Sequence, residues 1–140
     1  MTKRLFYLLN LTWGLPLTLC GLAVALFLRV TGYRPQRWGW CWYFNIGKTR
    51  WGGLNLGLVI LCQPDAPASL KNHELGHAIQ NSRLGPIMLF FVLCSAIRYH
   101  YINYLESKGK PTPPYDSWWF EGQATQLGTH LYDTINTTRS

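Results

Sequence analysis

The chain has 140 residues, enough for one domain with a modest core and too few for two. Thirteen Lys and Arg against six Asp and Glu give a formal charge of +7, but the cations are scattered and several stand beside Trp or Tyr near apolar segments. That distribution excludes a nucleic-acid footprint and points to an anionic lipid membrane as the partner, while the four cysteines, lacking CxxC spacing, exclude a zinc ribbon or a redox pair.

From Leu5 to Leu28 the sequence is uncharged and long enough as a helix to cross a hydrocarbon core. It predicts an N-terminal transmembrane helix, with Pro16 as a kink, and a membrane-anchor segment over 1–30. Lys3 and Arg4 would also suit a signal peptide, but no small-x-small cleavage site follows, so an uncleaved single-pass anchor is expected. Lys3 and Arg4 on one side balance Arg29, Arg34 and Arg37 on the other, which leaves its orientation open.

A Gly- and Pro-containing linker, Thr31 to Gln36, leads into Trp38, Trp40, Trp42, Phe44 and Ile46, large apolar side chains at period 2 that predict a strand. Gly47-Lys48 supplies a turn, and Leu54 to Cys62 reads as the returning strand, giving a β-hairpin or small sheet. Cys41 and Cys62 lie on the two strands, either paired in an oxidising compartment or buried as free thiols.

After the loop Pro64–Pro67, Asp65 or Ser69 can cap a helix that ends at Gly85-Pro86. A second helix is expected from Pro86 to about Leu105; its apolar run, Ile87 to Ile97, is short for a full span and suits a buried or half-inserted helix. A Pro-rich loop follows, then a last helix from Trp118, capped by Ser117, to about Tyr132, and a loose tail over 133–140. The expected fold is therefore α+β, with the functional domain over 31–132.

The first of these later helices carries His73-Glu74-Leu75-Gly76-His77, the HExxH pattern. Each helical residue advances about 100°, so His77 lies about 40° around from His73 and one turn on, and both imidazoles face one point. Glu74 sits to one side, within reach of a water on a metal ion without being forced to ligate it. Composition alone would produce the pattern roughly once in a few hundred shuffled chains. A catalytic zinc takes three protein ligands and keeps a position open, so a third must come from elsewhere. Among Glu106, Asp116, Glu121, Asp133, His100 and His130, the best placed is Glu121, in the first turn of the last helix.

An edge strand, an HExxH helix and a downstream helix offering Glu resemble the catalytic core of zincin metallopeptidases of the glutamate-ligand group, the gluzincins, over roughly Leu54 to Tyr132. The resemblance implies that His73, His77 and Glu121 bind Zn2+, that Glu74 is general base and acid, and that the Leu54–Cys62 strand pairs with an extended peptide or protein substrate. Gluzincins often have an Asp four residues after the ligand Glu to orient a histidine; this chain has Thr125, and a backbone carbonyl, Gln80 or Asn81 would have to serve. The oxyanion donor is open among Tyr99, His100, Tyr101, Tyr115 and Tyr132, of which Tyr132 shares the helical face of Glu121. The expected function is a membrane-anchored zinc metallopeptidase; the alternatives are an inactive metal-binding membrane scaffold and a zinc hydrolase of a non-peptide amide.

Overall fold

The computed structural model describes residues 1–48 and 50–138. It is α+β: helices α1 (Lys3–Leu11) and α2 (Leu15–Val30), strands β1 (Gln36–Trp38), β2 (Cys41–Asn45), β3 (Gly53–Leu56) and β4 (Val59–Cys62), then α3 (Ala68–Leu84), α4 (Met88–Ser107) and α5 (Trp119–Thr137). Short 3-10 turns, Gly85–Ile87 and Tyr115–Ser117, precede α4 and α5.

The N-terminal apolar stretch is not the single spanning helix its composition suggests: α1 and α2 meet at 90°. The break falls at residues 12–14, between the end of α1 and Pro16 in the first turn of α2, where the proline expected to kink the run cannot donate to a preceding turn. Just before it stands Asn10, which is 0% exposed. Its side-chain amide donates to the carbonyls of Phe6 and, at 3.4 Å, Ala78 of α3, while Asn81 donates to its Oδ1 at 2.7 Å and to the carbonyl of Gly14 at 3.0 Å. A buried amide needs such partners, and they exist only on the flank of α3. The helix breaks there so that Phe6 and Asn10 dock onto α3. The long apolar helical stretch lies elsewhere, within Ala68–Ser107: a window of mean hydropathy 1.3 there suits a membrane crossing, and 17% of it is buried inside the protein.

The expected two strands are four, because a glycine turns the chain inside each apolar run. Gly39 (φ 56) folds β1 back on β2, and Gly57 (φ 68) folds β3 back on β4. Asn55 closes the second turn, accepting from the Gly57 N–H at 2.9 Å and donating to its carbonyl at 3.1 Å. The two hairpins join through parallel pairing of β2 with β4, in the order β1-β2-β4-β3. β4 is central and buried on both faces, which accounts for its unbroken run Val-Ile-Leu-Cys.

One sheet face presents Cys41, Tyr43 and Ile60 to Phe6, Leu75 and Ala78 of α1 and α3. The other presents Phe44, Val59 and Leu61 to Leu28 and Val24 of α2, so the N-terminal segment is a layer of the fold. Cys41 and Cys62 are free buried thiols, each pushed up to about 12 by burial. They project from the same face of β2 and β4, but the register sets Cys62 against Asn45, four residues along from Cys41.

α3 stops at Gly85 as expected, but its N-cap is Pro67 with no side-chain cap from Asp65 or Ser69. α5 likewise starts without a cap from Ser117 and continues to Thr137, so residues 133–137 of the expected tail are helical; Arg139 and Ser140 lie outside the described residues.

α3 and α5 cross with their backbones touching. A methyl group added at Gly76 would collide with the carbonyl of Ala124, and one at Gly128 with the carbonyl of Asn72. Neither obstacle is a flexible side chain, so relief would require the helices to separate. Gly128→Ala is expected to lower the melting temperature by about 10 °C, corresponding to about 2–3 kcal/mol. An unchanged transition in a thermal denaturation experiment would contradict the close crossing.

Candidate metal centre

The α3–α5 crossing brings together the three residues singled out as ligands. His73 Nε2, His77 Nε2 and Glu121 Oε2 form a triangle in which every side is 3.1 Å. A tetrahedral ion of zinc's size spaces its nitrogen and oxygen ligands about 3.3 Å apart, so the triangle has the dimensions of one face of such a site. Glu121 is 0% exposed, and the chain could hold a metal ion here.

The hydrogen bonds behind the rings test whether the donors suit a cation. His73 Nδ1 lies 2.9 Å from Thr125 Oγ1, and the Thr125 hydroxyl donates to Asp116 Oδ2 at 3.0 Å, so the ring nitrogen is the donor to Thr125. His77 Nδ1 lies 2.7 Å from Gln80 Oε1, whose amide nitrogen donates to the carbonyl of Phe120 at 2.8 Å. With Nδ1 protonated in both neutral rings, both Nε2 lone pairs point at the Glu121 carboxylate. Three acceptors then converge with no hydrogen between them, an arrangement that a cation resolves. Without an ion the rings can be protonated at Nε2 as well: burial raises the Glu121 carboxyl, but hydrogen bonds from His73 and His77 outweigh it and hold the group below the ordinary carboxylate range. Either way the buried carboxylate demands positive charge at this point.

The second oxygen of Glu121 is held from the opposite side. Ser95 of α4 donates to Oε1, and so does the Tyr115 hydroxyl at 3.4 Å. Burial, then the nearby Glu121 and Glu74 carboxylates, push Tyr115 above its ordinary value, so its hydroxyl stays a donor. Sequence reasoning missed Ser95 and Asp116 as supports, because Ser95 reaches Glu121 from another helix 26 residues earlier and Asp116 acts on His73 only through Thr125. It identified position 125 as a departure and Gln80 as a substitute; Gln80 does serve His77, and Thr125 itself serves His73.

Glu74 lies beside the triad, 4% exposed, and its Oε2 has no hydrogen-bond partner among the described residues. Gly53 of β3 crowds it so closely that a Cβ there would stand 2.7 Å from Glu74 Oε1. His73, His77 and Glu74 line a cleft of about 730 Å3 between β3, α3, α4 and the Tyr115 turn, with the Glu121 carboxylate buried behind the two rings. β3 is the sheet's edge on this side. The Gln63 N–H donates to the Gly52 carbonyl in the β3–β4 register, and alternation then directs the backbone groups of Gly53 and Asn55 away from β4, where Gly53 is half-buried and Asn55 is covered.

The remaining candidates scatter. Tyr99 and His100 line the cleft, with Tyr99 donating to the Trp51 carbonyl at 3.2 Å; Tyr101 is exposed; and Tyr132 stacks on Trp38 with ring centroids 4.5 Å apart. Sharing a helical face with Glu121 is therefore not enough, since Tyr132 lies three turns further on, over β1. His130 and Asp133 are exposed, and Glu106 sits at the cleft rim.

No protein-family model, curated protein or solved structure matches this chain.

The Thr125–Asp116 pair makes a specific prediction about metal binding. Asp116→Asn should weaken zinc affinity by about 10-fold, and Thr125→Val by about 10- to 100-fold. In a Thr125→Asp background, where a carboxylate can contact His73 directly, Asp116→Asn should have no further effect. Isothermal titration with zinc measures all three; equal losses from Asp116→Asn in both backgrounds would contradict the relay.

Proposed function

We propose that this protein is a small membrane-anchored zinc metallopeptidase whose metal is held by His73, His77 and Glu121. The observation that carries the reading is Glu74. A buried carboxylate oxygen with no partner costs about 1–3 kcal/mol or more, and a site that only held a metal would gain nothing from keeping it. Beside three converging ligand atoms, at the buried end of the cleft, the same oxygen is placed as a general base in want of a proton. This argues against an inactive metal-binding scaffold.

Zinc bound at the triad would supply Lewis acidity and lower the pKa of a water molecule. Glu74 accepts the proton of the attacking water through its free oxygen and returns it to the leaving amine. Tyr115, kept protonated and lining the cleft, could turn its hydroxyl from the long contact with Glu121 Oε1 to donate to a developing oxyanion. Ser95, Gln80 and Thr125 hold the ligands in place.

A polypeptide is favoured over other amides by the backbone of β3. The outward N–H and C=O groups of half-buried Gly53 offer an extended chain the first pairing of an added strand, antiparallel or parallel, beside Glu74, which packs directly against this glycine. The anchor is assigned to the apolar surface of α4 and α2 rather than to a straight N-terminal span.

Glu74→Gln should retain one zinc per chain while losing at least about 100-fold in kcat/KM on a peptide library. Mass-spectrometric detection of cleavage together with metal analysis checks both halves. Full activity in a zinc-loaded Glu74→Gln protein would end the peptidase reading.

A further inference from the structure

We propose that α4 is a partition, its outer face lying in a lipid bilayer and its inner face walling the cleft, so that the cleft takes polypeptides held at a membrane. The second half rests on the peptidase reading; the first does not.

The two faces of α4 differ in surroundings. Phe90, Leu93, Ile97, Tyr101 and Tyr104 recur three or four residues apart on one side, and all are exposed, Phe90 by 62% and Ile97 by 61%. About half a turn around the helix, Met88, Val92, Ser95, Tyr99 and Ile102 line the cleft. A helix placed against water would not carry its large apolar residues outward in a continuous stripe, and a stripe of this size marks a contact surface. α2, which packs on α4, adds Leu19, Leu22 and Leu26, exposed at the same spacing.

Charge selects a bilayer as the occupant. No charged residue stands between Arg83 and Arg98. Arg98 is turned from the outer stripe: its Nη2 donates to the carbonyls of Pro114 and Tyr115 at 3.3 and 3.4 Å and to Ser117 Oγ at 3.1 Å. The C-terminal end of the stripe is Tyr101 and Tyr104, followed by Lys108 and Lys110, the sequence of groups that suits an interface with anionic headgroups. The chain's charge of +7 acts in the same sense. The same Arg98 contacts tie the lipid-facing helix to the turn that carries Tyr115, and Ser95 ties it to Glu121. A polypeptide reaching the cleft over α4 therefore arrives at the membrane surface.

The test uses the full chain in vesicles of phosphatidylcholine and phosphatidylglycerol. With Cys20 and Cys94 replaced by Ser, single cysteines are placed at Leu93 or Ile97 on the outer face and at Ala96 on the cleft side, and each carries an environment-sensitive fluorophore. The outer labels are expected to be quenched by spin-labelled lipid and protected from iodide, and the Ala96 label to show the reverse. Outer labels open to iodide, or protected equally without vesicles because the chain self-associates, would overturn the lipid contact. In a second arm, one cleavable sequence is offered free and fused to a membrane anchor in the same vesicles. Glu74-dependent cleavage about tenfold or more faster for the anchored form is expected. Equal rates would overturn the membrane-borne substrate while leaving the peptidase reading intact, whereas no cleavage of either form, with the label pattern as expected, would remove the peptidase and its substrate and leave the lipid contact.

Discussion

The backbone contact between α3 and α5 is the constraint on which the candidate metal centre depends. Gly76 and Gly128 remove the side chains that would hold the helices apart, and Ala124 keeps the groove between them shallow. With the axes this close, the short side chain of a glutamate in the first turn of α5 reaches the Nε2 atoms of two histidines on α3. A separation greater by the width of one methyl group would leave Glu121 buried with nothing to neutralise it. The spacing Ala124-x-x-x-Gly128 on α5 is the small-residue pattern that close helix crossings use, and it faces Gly76 and the backbone of Asn72 on α3.

Around that contact each ligand is oriented by a different part of the chain. Gln80 comes from α3 itself, Thr125 from α5, Asp116 from the turn before α5, and Ser95 from α4. The three converging acceptors are thus aimed before any ion arrives, which reduces the reorganisation that binding would require. Glu74 is treated differently: one oxygen is left without a partner among the described residues, and Gly53, which packs directly against it, has no side chain. Ligands fixed on all sides and a base left free are what hydrolysis by an activated water would need.

The parts of this arrangement visible in the sequence are those set by local spacing. The HExxH register, the stop at Gly85-Pro86 and the start of α5 near Trp118 each follow from residues within a turn or two. Glu121 emerged because the alternatives were few and poorly placed. What escaped was long-range. Pro16 marks where the apolar run bends, but the docking of α1 depends on Asn10, whose partners, the Ala78 carbonyl and Asn81, lie about 70 residues away. Gly39 and Gly57 are local signals, but unbroken apolar runs on either side hid them; the strand boundaries follow from a central β4 buried on both faces, which a period-2 pattern does not describe. Asp116 is invisible as a support for His73 because it acts through Thr125, a residue the sequence marks only as a substitution for the expected acid.

Convergence of two imidazoles and one carboxylate on a single ion is the claim from which the rest descends. X-ray absorption at the zinc edge of the purified, metal-replete protein tests it directly. The account predicts one zinc per chain with a first shell of two imidazole nitrogens and light oxygen donors at about 2.0–2.1 Å. Substoichiometric metal, or a shell containing sulfur at about 2.3 Å, would contradict it.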